Sequence, residues 1–277
     1  MTALHSGDDD RSGIAEQALT AGSDTAFQLG VILGGVQKAG TTSLSNYLRA
    51  HPQLLAPSRK ETHFFDNEKI DWTRPNYRAL RALYPASTDD RIPFDATPIY
   101  LFWPPSLARI RAHNPAIKLI FLFRDPIERA WSHWRMEVRR DADTLSFSKA
   151  VRAGRDRLEG IAPLDPAWRV YSYIERGFYA TQLRRLFDLF PREQILLLSS
   201  DDLENDHAGV LARIAAFLGI APFQPTTPRD DHRAPDDGTT LAVEDVRYLR
   251  KIFRDEIAAF ATLSDIRVDD WLTMRDA

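Results

Sequence analysis

The sequence predicts an α/β fold in which a mostly parallel central sheet is covered by helices on both faces. Three observations predict it. A short apolar run, a glycine-rich turn and an amphipathic helix follow one another over residues 29–50. A strand, a tight turn and a helix follow one another again over residues 117–135, the turn there being Arg-Asp-Pro without glycine. A third unit, helix then apolar run then helix, spans residues 177–219. Short apolar strands alternating with amphipathic helices imply parallel pairing buried on both faces, because a parallel crossover lays its helix over the sheet.

Taken in order, residues 29–33 form the first buried strand. A helix follows over residues 42–50, with Leu44, Tyr47 and Leu48 on one apolar face. Residues 117–123, "IKLIFLF", form the second clear strand. Asp125 is placed to cap the next helix and Pro126 suits its first position. Tyr179, Leu183, Leu186, Phe187 and Phe190 recur at helical spacing, ahead of a strand in "QILLLSS". Val210, Ile214, Phe217 and Leu218 mark a further helix that Gly219 closes. The last helix spans residues 243–260, with Leu249, Ile252, Phe253, Ile257 and Phe260 on one face. Residues 1–27 lack periodicity and read as a mobile tail, leaving 28–277 as a single domain.

The bulk chemistry narrows the function. A hydrophobic fraction of 44% over 277 residues is enough for a substantial core. A formal net charge of −3 provides no global basic field, so nucleic acid is not an expected partner. With no cysteine there are no disulfides, no thiolate nucleophile and no Cys-ligated zinc. No His/Asp/Glu spacing suggests a metal site. The amino-terminal residues lack a signal-peptide pattern, and no apolar run is long enough for a membrane span, so a cytoplasmic location is expected. Oligomeric state is not readable.

Ligands of such sheets sit beyond the carboxyl ends of the strands, and two turns there carry chemistry. The first is "GGVQKAGTTSL", residues 34–44. A glycine turn leading into a helix aims backbone N–H groups and the positive end of the helix dipole at an anion. Lys38 adds a full charge, and Thr41 and Thr42 add hydroxyl donors. A kinase phosphate loop would read G-x-x-x-x-G-K-[ST]. Here Gly35 and Gly40 keep the glycine spacing, but Thr41 stands where that lysine would be. A sulfuryl group carries less charge than a phosphoryl group, so one lysine with backbone dipoles and no divalent metal fits the departure. In the second turn, "FRDPIERAWS", Arg124 ends a strand while Arg129 and Ser132 lie a turn apart on the helix, a clamp for a second phosphate.

These residues resemble a known family. "QKAGTTSL" is similar to the 5′-phosphosulfate loop of sulfotransferases that use 3′-phosphoadenosine 5′-phosphosulfate (PAPS). "RDPIERAWS" is similar to their 3′-phosphate motif, R-x-P-x-x-R-x-x-S. "RKETHFFD", residues 59–66, resembles the K-E-x-H-F-F segment of the heparan-sulfate branch, the N- and 3-O-sulfotransferases, here in a bacterial-like form. "GFYATQL", "LLLSSDDL" and "IAAFLGI" resemble later segments of the same domain. The resemblance covers residues 29–272 and implies a P-loop-containing α/β fold. It implies that Lys38, Ala39, Gly40, Thr41, Thr42 and Ser43 surround the phosphosulfate, and that Arg124 and Ser132 hold the 3′-phosphate. It makes Glu61 the general base, with Lys38 and His63 as catalytic partners and Lys60 beside them. PAPS is then the co-substrate and 3′-phosphoadenosine 5′-phosphate (PAP) the product, with no metal.

Two departures bear on the acceptor. The branch often has E-K-[ST]-P-x-Y where this chain has "FDATPIY", so Ala96 replaces a lysine. Its K-G-R-x-H-P loop is echoed only by "HRAP", where Arg233 is the candidate to close over the donor. A carbohydrate or small-molecule hydroxyl is the expected acceptor, and an amine also fits. Candidate acceptor loops are residues 66–84, 103–106 and 141–173, with Tyr100, Trp72 and Trp103 either lining the cleft or packing in the core. The charged segment 139–160 is either a helical lid or a solvated helix. Base catalysis by Glu61 calls for a raised proton affinity, with Phe64 and Phe65 as apolar walls. His133 is expected to pack among Trp131 and Trp134 on the helix, and His51 and His113 to sit in loops. The competing readings are a P-loop kinase or NTPase, and a nucleotide-binding protein without catalysis.

Overall fold

Successive elements are β1 (Val31–Gly35), α1 (Thr41–Ala50), β2 (Leu54–Leu55), α2 (Tyr77–Arg81), β3 (Ile92–Ala96), α3 (Ser106–His113), β4 (Lys118–Phe123), α4 (Pro126–Arg139), α5 (Phe147–Ala153), α6 (Ala167–Tyr171), α7 (Tyr179–Leu189), β5 (Ile195–Ser199), α8 (Ser200–Asn205), α9 (His207–Leu218) and α10 (Val243–Ser264). The structure, a computed structural model, describes residues 27–86, 90–228 and 238–275. The strands form one parallel sheet in the order β2-β3-β1-β4-β5. The carboxyl ends of β1, β3, β4 and β5 therefore share one edge, the edge at which an open parallel sheet binds its ligand.

The strand runs are buried because helices cover both faces. Val31, Ile32, Leu33 and residues 119–123 are at most 1% exposed. They join one hydrophobic cluster with α1, α7, α9 and α10, in which Phe123 packs edge-on to Tyr179 and Phe260 lies 4.8 Å from it. Asp125 caps α4 by accepting from the N–H groups of Ile127 and Glu128, and Gly219 ends α9 in the left-handed region (φ 70°). No helix among the described residues is long and apolar enough to cross a membrane.

Several expectations change. The first strand lies two residues later than its apolar run, at Val31–Gly35. β3 lacks a strand signature in the sequence, since Pro93 and Asp95 interrupt its five residues; it forms because it lies between β2 and β1. Tyr100 and Trp103 are core residues, at 0% and 1% exposure. His113 is the last residue of α3, buried, and its Nε2 accepts from Leu29 N–H at 3.0 Å; burial lowers its pKa to about 4. His51 is buried at the end of α1, with Nε2 2.9 Å from the Ala221 carbonyl oxygen. Segment 139–160 forms α5 and a short turn; Phe147 packs edge-on to Trp131, a helix docked on α4 rather than a solvated one.

Candidate active site

A cleft of about 1150 Å³ opens at the shared strand edge. Lys38, Ala39, Gly40, Thr41, Thr42, Ser43, Glu61, His63, Arg124 and Ser132 all line it. Arg233 and the rest of "HRAP" lie outside the described residues.

One wall of the cleft is built by the turn after β1. Val36 N–H bonds to Leu122 O at 2.7 Å, tying the turn to β4. Gly40 takes φ 90°, a conformation that disfavours other residues, and serves as the N-cap of α1 without a side-chain cap. The first turn of α1 holds no acidic residue, and Leu44 N–H to Gly40 O closes its first bond. The leading amides therefore face the cleft as an anion cradle. Lys38, also in the left-handed region (φ 75°), directs its ammonium to within 4.0 Å of Met136 Sδ. Burial lowers its pKa, and the charges of Arg139, Arg140 and Arg124 lower it further. A crowded cation with a thioether as its neighbour is suited to an incoming anion. Ser200 Oγ, which also lines the cleft, is buried and has no hydrogen-bond partner among the described residues.

Arg124 stands at the end of β4. Its Nε and Nη2 reach Glu128 Oε2 at 2.9 and 2.8 Å, and its Nη1 reaches Lys38 O at 3.5 Å. Ser132 lies one turn beyond Glu128. Arg129 is not part of this clamp. It is fully buried on the core side of α4 and donates to the Tyr173 carbonyl. His133 is fully buried as well and packs edge-on to Tyr173 at 4.8 Å, while Trp131 and Trp134 stack on each other.

On the other wall, Lys60 Nζ donates to Thr42 Oγ1 at 3.0 Å and to Glu61 Oε1 at 2.7 Å, so one ammonium links the start of α1 and the carboxylate. His63 Nε2 lies 3.4 Å from Glu61 Oε2, and His63 Nδ1 lies 2.9 Å from Asp66 Oδ2. Asp66 is fully buried and also accepts from Arg169 Nη1 at 2.5 Å. Hydrogen bonds to Asp66 and Glu61 raise the His63 pKa to about 9, so the imidazolium persists at neutral pH. Burial pushes the Glu61 carboxyl up, but the His63 hydrogen bond and the Lys60 charge outweigh it and set it at about 2. The expected upward shift is thus reversed. Phe64 and Phe65 do not wall the carboxylate; they pack with Trp72 in the core.

Sequence reasoning missed part of this cleft. None of its lining residues comes from segments 66–84, 103–106 or 141–173. Arg59, Arg135, Met136, Arg139 and Arg140 line it instead. The signal for the last four was the helical period itself: from Ser132, the face of α4 continues through Arg135 and Met136 to Arg139. Asp66, the last residue of "RKETHFFD" and the first of a candidate acceptor loop, instead holds His63.

The sulfotransferase domain model matches residues 30–231. The human heparan sulfate glucosamine 3-O-sulfotransferase 3B1 is 34% identical over 192 residues, covering 68% of this chain and 45% of that protein. The human heparan sulfate glucosamine 3-O-sulfotransferase 6 is 33% identical, with 68% and 52% covered. The chain spans about half the length of these curated relatives. A sulfotransferase from Alicyclobacillus acidocaldarius superposes with a TM-score of 0.74 at 26% identity, over 88% of this chain and 99% of that one. A mouse sulfotransferase, SULT7A1, crystallised with PAP, shares the fold with a TM-score of 0.52 at 12% identity, over 87% of this chain and 90% of that one.

Proposed function

The chain belongs to the sulfotransferase domain family, and we propose that it moves the sulfuryl group of PAPS to an acceptor hydroxyl by in-line transfer. The observation that carries this reading is the Lys60 bridge, which places a carboxylate and an anion cradle on one ammonium. The acceptor oxygen attacks sulfur as the bond from sulfur to the 5′-phosphate oxygen breaks. A sulfate ester and PAP result. Glu61, ionised at neutral pH, takes the hydroxyl proton. Lys38 and the leading amides of α1 meet the charge that builds on the departing phosphate. The donor's own negative charge competes for Lys60 and so raises the proton affinity of Glu61 when it is needed. His63, held by Asp66, orients the carboxylate. Arg124 and Ser132 receive the 3′-phosphate. That phosphate separates PAPS from ordinary adenine nucleotides.

The names of the relatives support a carbohydrate acceptor. The test is transfer of ³⁵S from labelled PAPS to heparan sulfate with a chelator present, for wild type and Glu61→Gln. The expected result is labelled glycan with the wild type and a loss of roughly 10²–10⁴-fold in the variant, the range general-base removal produces. PAP affinity should not fall, since Glu61 binds no part of PAP and its neutralisation leaves Lys60 free for the phosphate. A variant as active as wild type removes Glu61 from the role of base. Binding of Mg-ATP in preference to PAP would return the loop to the kinases.

A further inference from the structure

Glu61 and His63 hold their side chains in the cleft from backbone positions with φ 61° and 51°. Both lie in the left-handed region, which residues with a Cβ avoid. Residues 60–64 belong to no helix or strand, so something outside secondary structure must keep this shape. The amides show what does. Thr62 N–H reaches Asp95 Oδ1 at 3.4 Å, and His63 N–H reaches Thr97 Oγ1 at 3.5 Å. Phe64 N–H reaches Thr62 Oγ1 at 3.4 Å, and Phe65 N–H reaches the Tyr100 hydroxyl at 3.4 Å. Four successive amides are thus met by side-chain oxygens instead of carbonyls.

One of these oxygens belongs to the Asp95 carboxylate, and the other three converge on it. Asp95 Oδ2 accepts from Thr62 Oγ1 at 2.6 Å and from Tyr100 OH at 2.7 Å, and Asp95 Oδ1 accepts from Thr97 Oγ1 at 3.0 Å. Asp95 is fully buried, near the end of β3 and in register with Ile32 of β1. The sheet therefore fixes the carboxylate, and the carboxylate fixes the hydroxyls that hold the loop. Buried hydrogen-bonded networks of this kind impose one geometry, because any slip leaves a polar group unpaired.

We propose that Asp95, acting with Thr62, Thr97 and Tyr100, is the positioning residue of the catalytic loop: it templates the left-handed turns that aim Glu61 and His63 at the reacting hydroxyl and touches neither donor nor acceptor. This rests on Glu61 being the general base. It also gives "FDATPIY" a function apart from acceptor binding.

The test compares wild type with Asp95→Asn, Thr97→Val, Thr97→Ser and Glu61→Gln by amide hydrogen exchange, PAP titration and steady-state transfer to heparan sulfate. Asn replaces an acceptor oxygen by a donor that faces hydroxyl donors. Asp95→Asn and Thr97→Val should lower protection of amides 62–65 by about tenfold or more while β1 and β4 keep theirs. The value of kcat should fall by at least about tenfold, with the KM for PAPS and the PAP affinity within about twofold. Thr97→Ser, which keeps the hydroxyl, should restore both. Should Asp95→Asn not fold, the Thr97 pair carries the comparison. Unchanged protection of amides 62–65 overturns the proposal, as does a fall in PAP affinity that parallels the fall in kcat. If Glu61→Gln is active, the base assignment fails alone. The exchange measurement, which needs no acceptor, still decides whether Asp95 holds the loop.

Discussion

Replacing Glu128 by Gln should tighten PAP binding, although it removes an ion pair and adds no contact. Arg124, proposed above to receive the 3′-phosphate, is held by Glu128 through Nε and Nη2 at 2.9 and 2.8 Å. A phosphate must displace or share that carboxylate. The two side chains are 36% and 39% exposed, so the pair is screened and worth at most about 1 kcal/mol. Glu128 also lines the cleft, where its charge repels the phosphate by about 0.7 kcal/mol per unit charge at ~6 Å in a water-like dielectric. The combined relief is about 1 kcal/mol, or roughly fivefold in Kd. Arg124→Ala should act in the opposite sense, with charged hydrogen bonds of about 1.5–3 kcal/mol lost and binding weakened about 10- to 150-fold. Calorimetric titration with PAP measures both, and the Glu128→Gln gain should shrink at high salt. Unchanged or weaker binding in Glu128→Gln at low salt refutes the competition. Wild-type affinity in Arg124→Ala removes Arg124 from the phosphate site.

Two further outcomes follow from named contacts. The His63 pKa is raised from 6.5 to about 9, so its ion pairs stabilise the fold below pH 6.5 and that stability is lost as pH rises through 9. The stability difference between wild type and His63→Gln, read by urea denaturation, should therefore narrow between those values; a flat difference refutes it. Asp125→Ala removes the α4 cap and two bonds from Thr273, N–H and Oγ1, each 2.8 Å. The loss should be about 2–4 kcal/mol by urea denaturation, and a loss under ~1 kcal/mol would mean that Asp125 does not dock the carboxyl-terminal segment.

The amino-acid sequence by itself determined the α/β class and the two strand-turn-helix units that carry the glycine turn and Arg124. Both are local. The apolar run before Gly34, the Gly40 turn, the Asp125–Pro126 cap and the α4 repeat each lie within a few residues of what they organise, so period and turn chemistry reveal them. Contacts across the sheet decided the rest. β3 exists because its neighbours pair with it, despite Pro93. The turns at Glu61 and His63 depend on a carboxylate more than thirty residues away, and no spacing rule links Thr62 to Asp95. Glu61 is held at about 2 by His63 and Lys60, and the Lys38 ammonium is destabilised by burial and by the arginines of α4. The charge state of a buried group reflects whatever surrounds it in space. Residue types and order were enough to place the glycine turn at the head of α1, whereas the loop of Glu61 and His63 took its shape only when the sheet had set Asp95 beneath it.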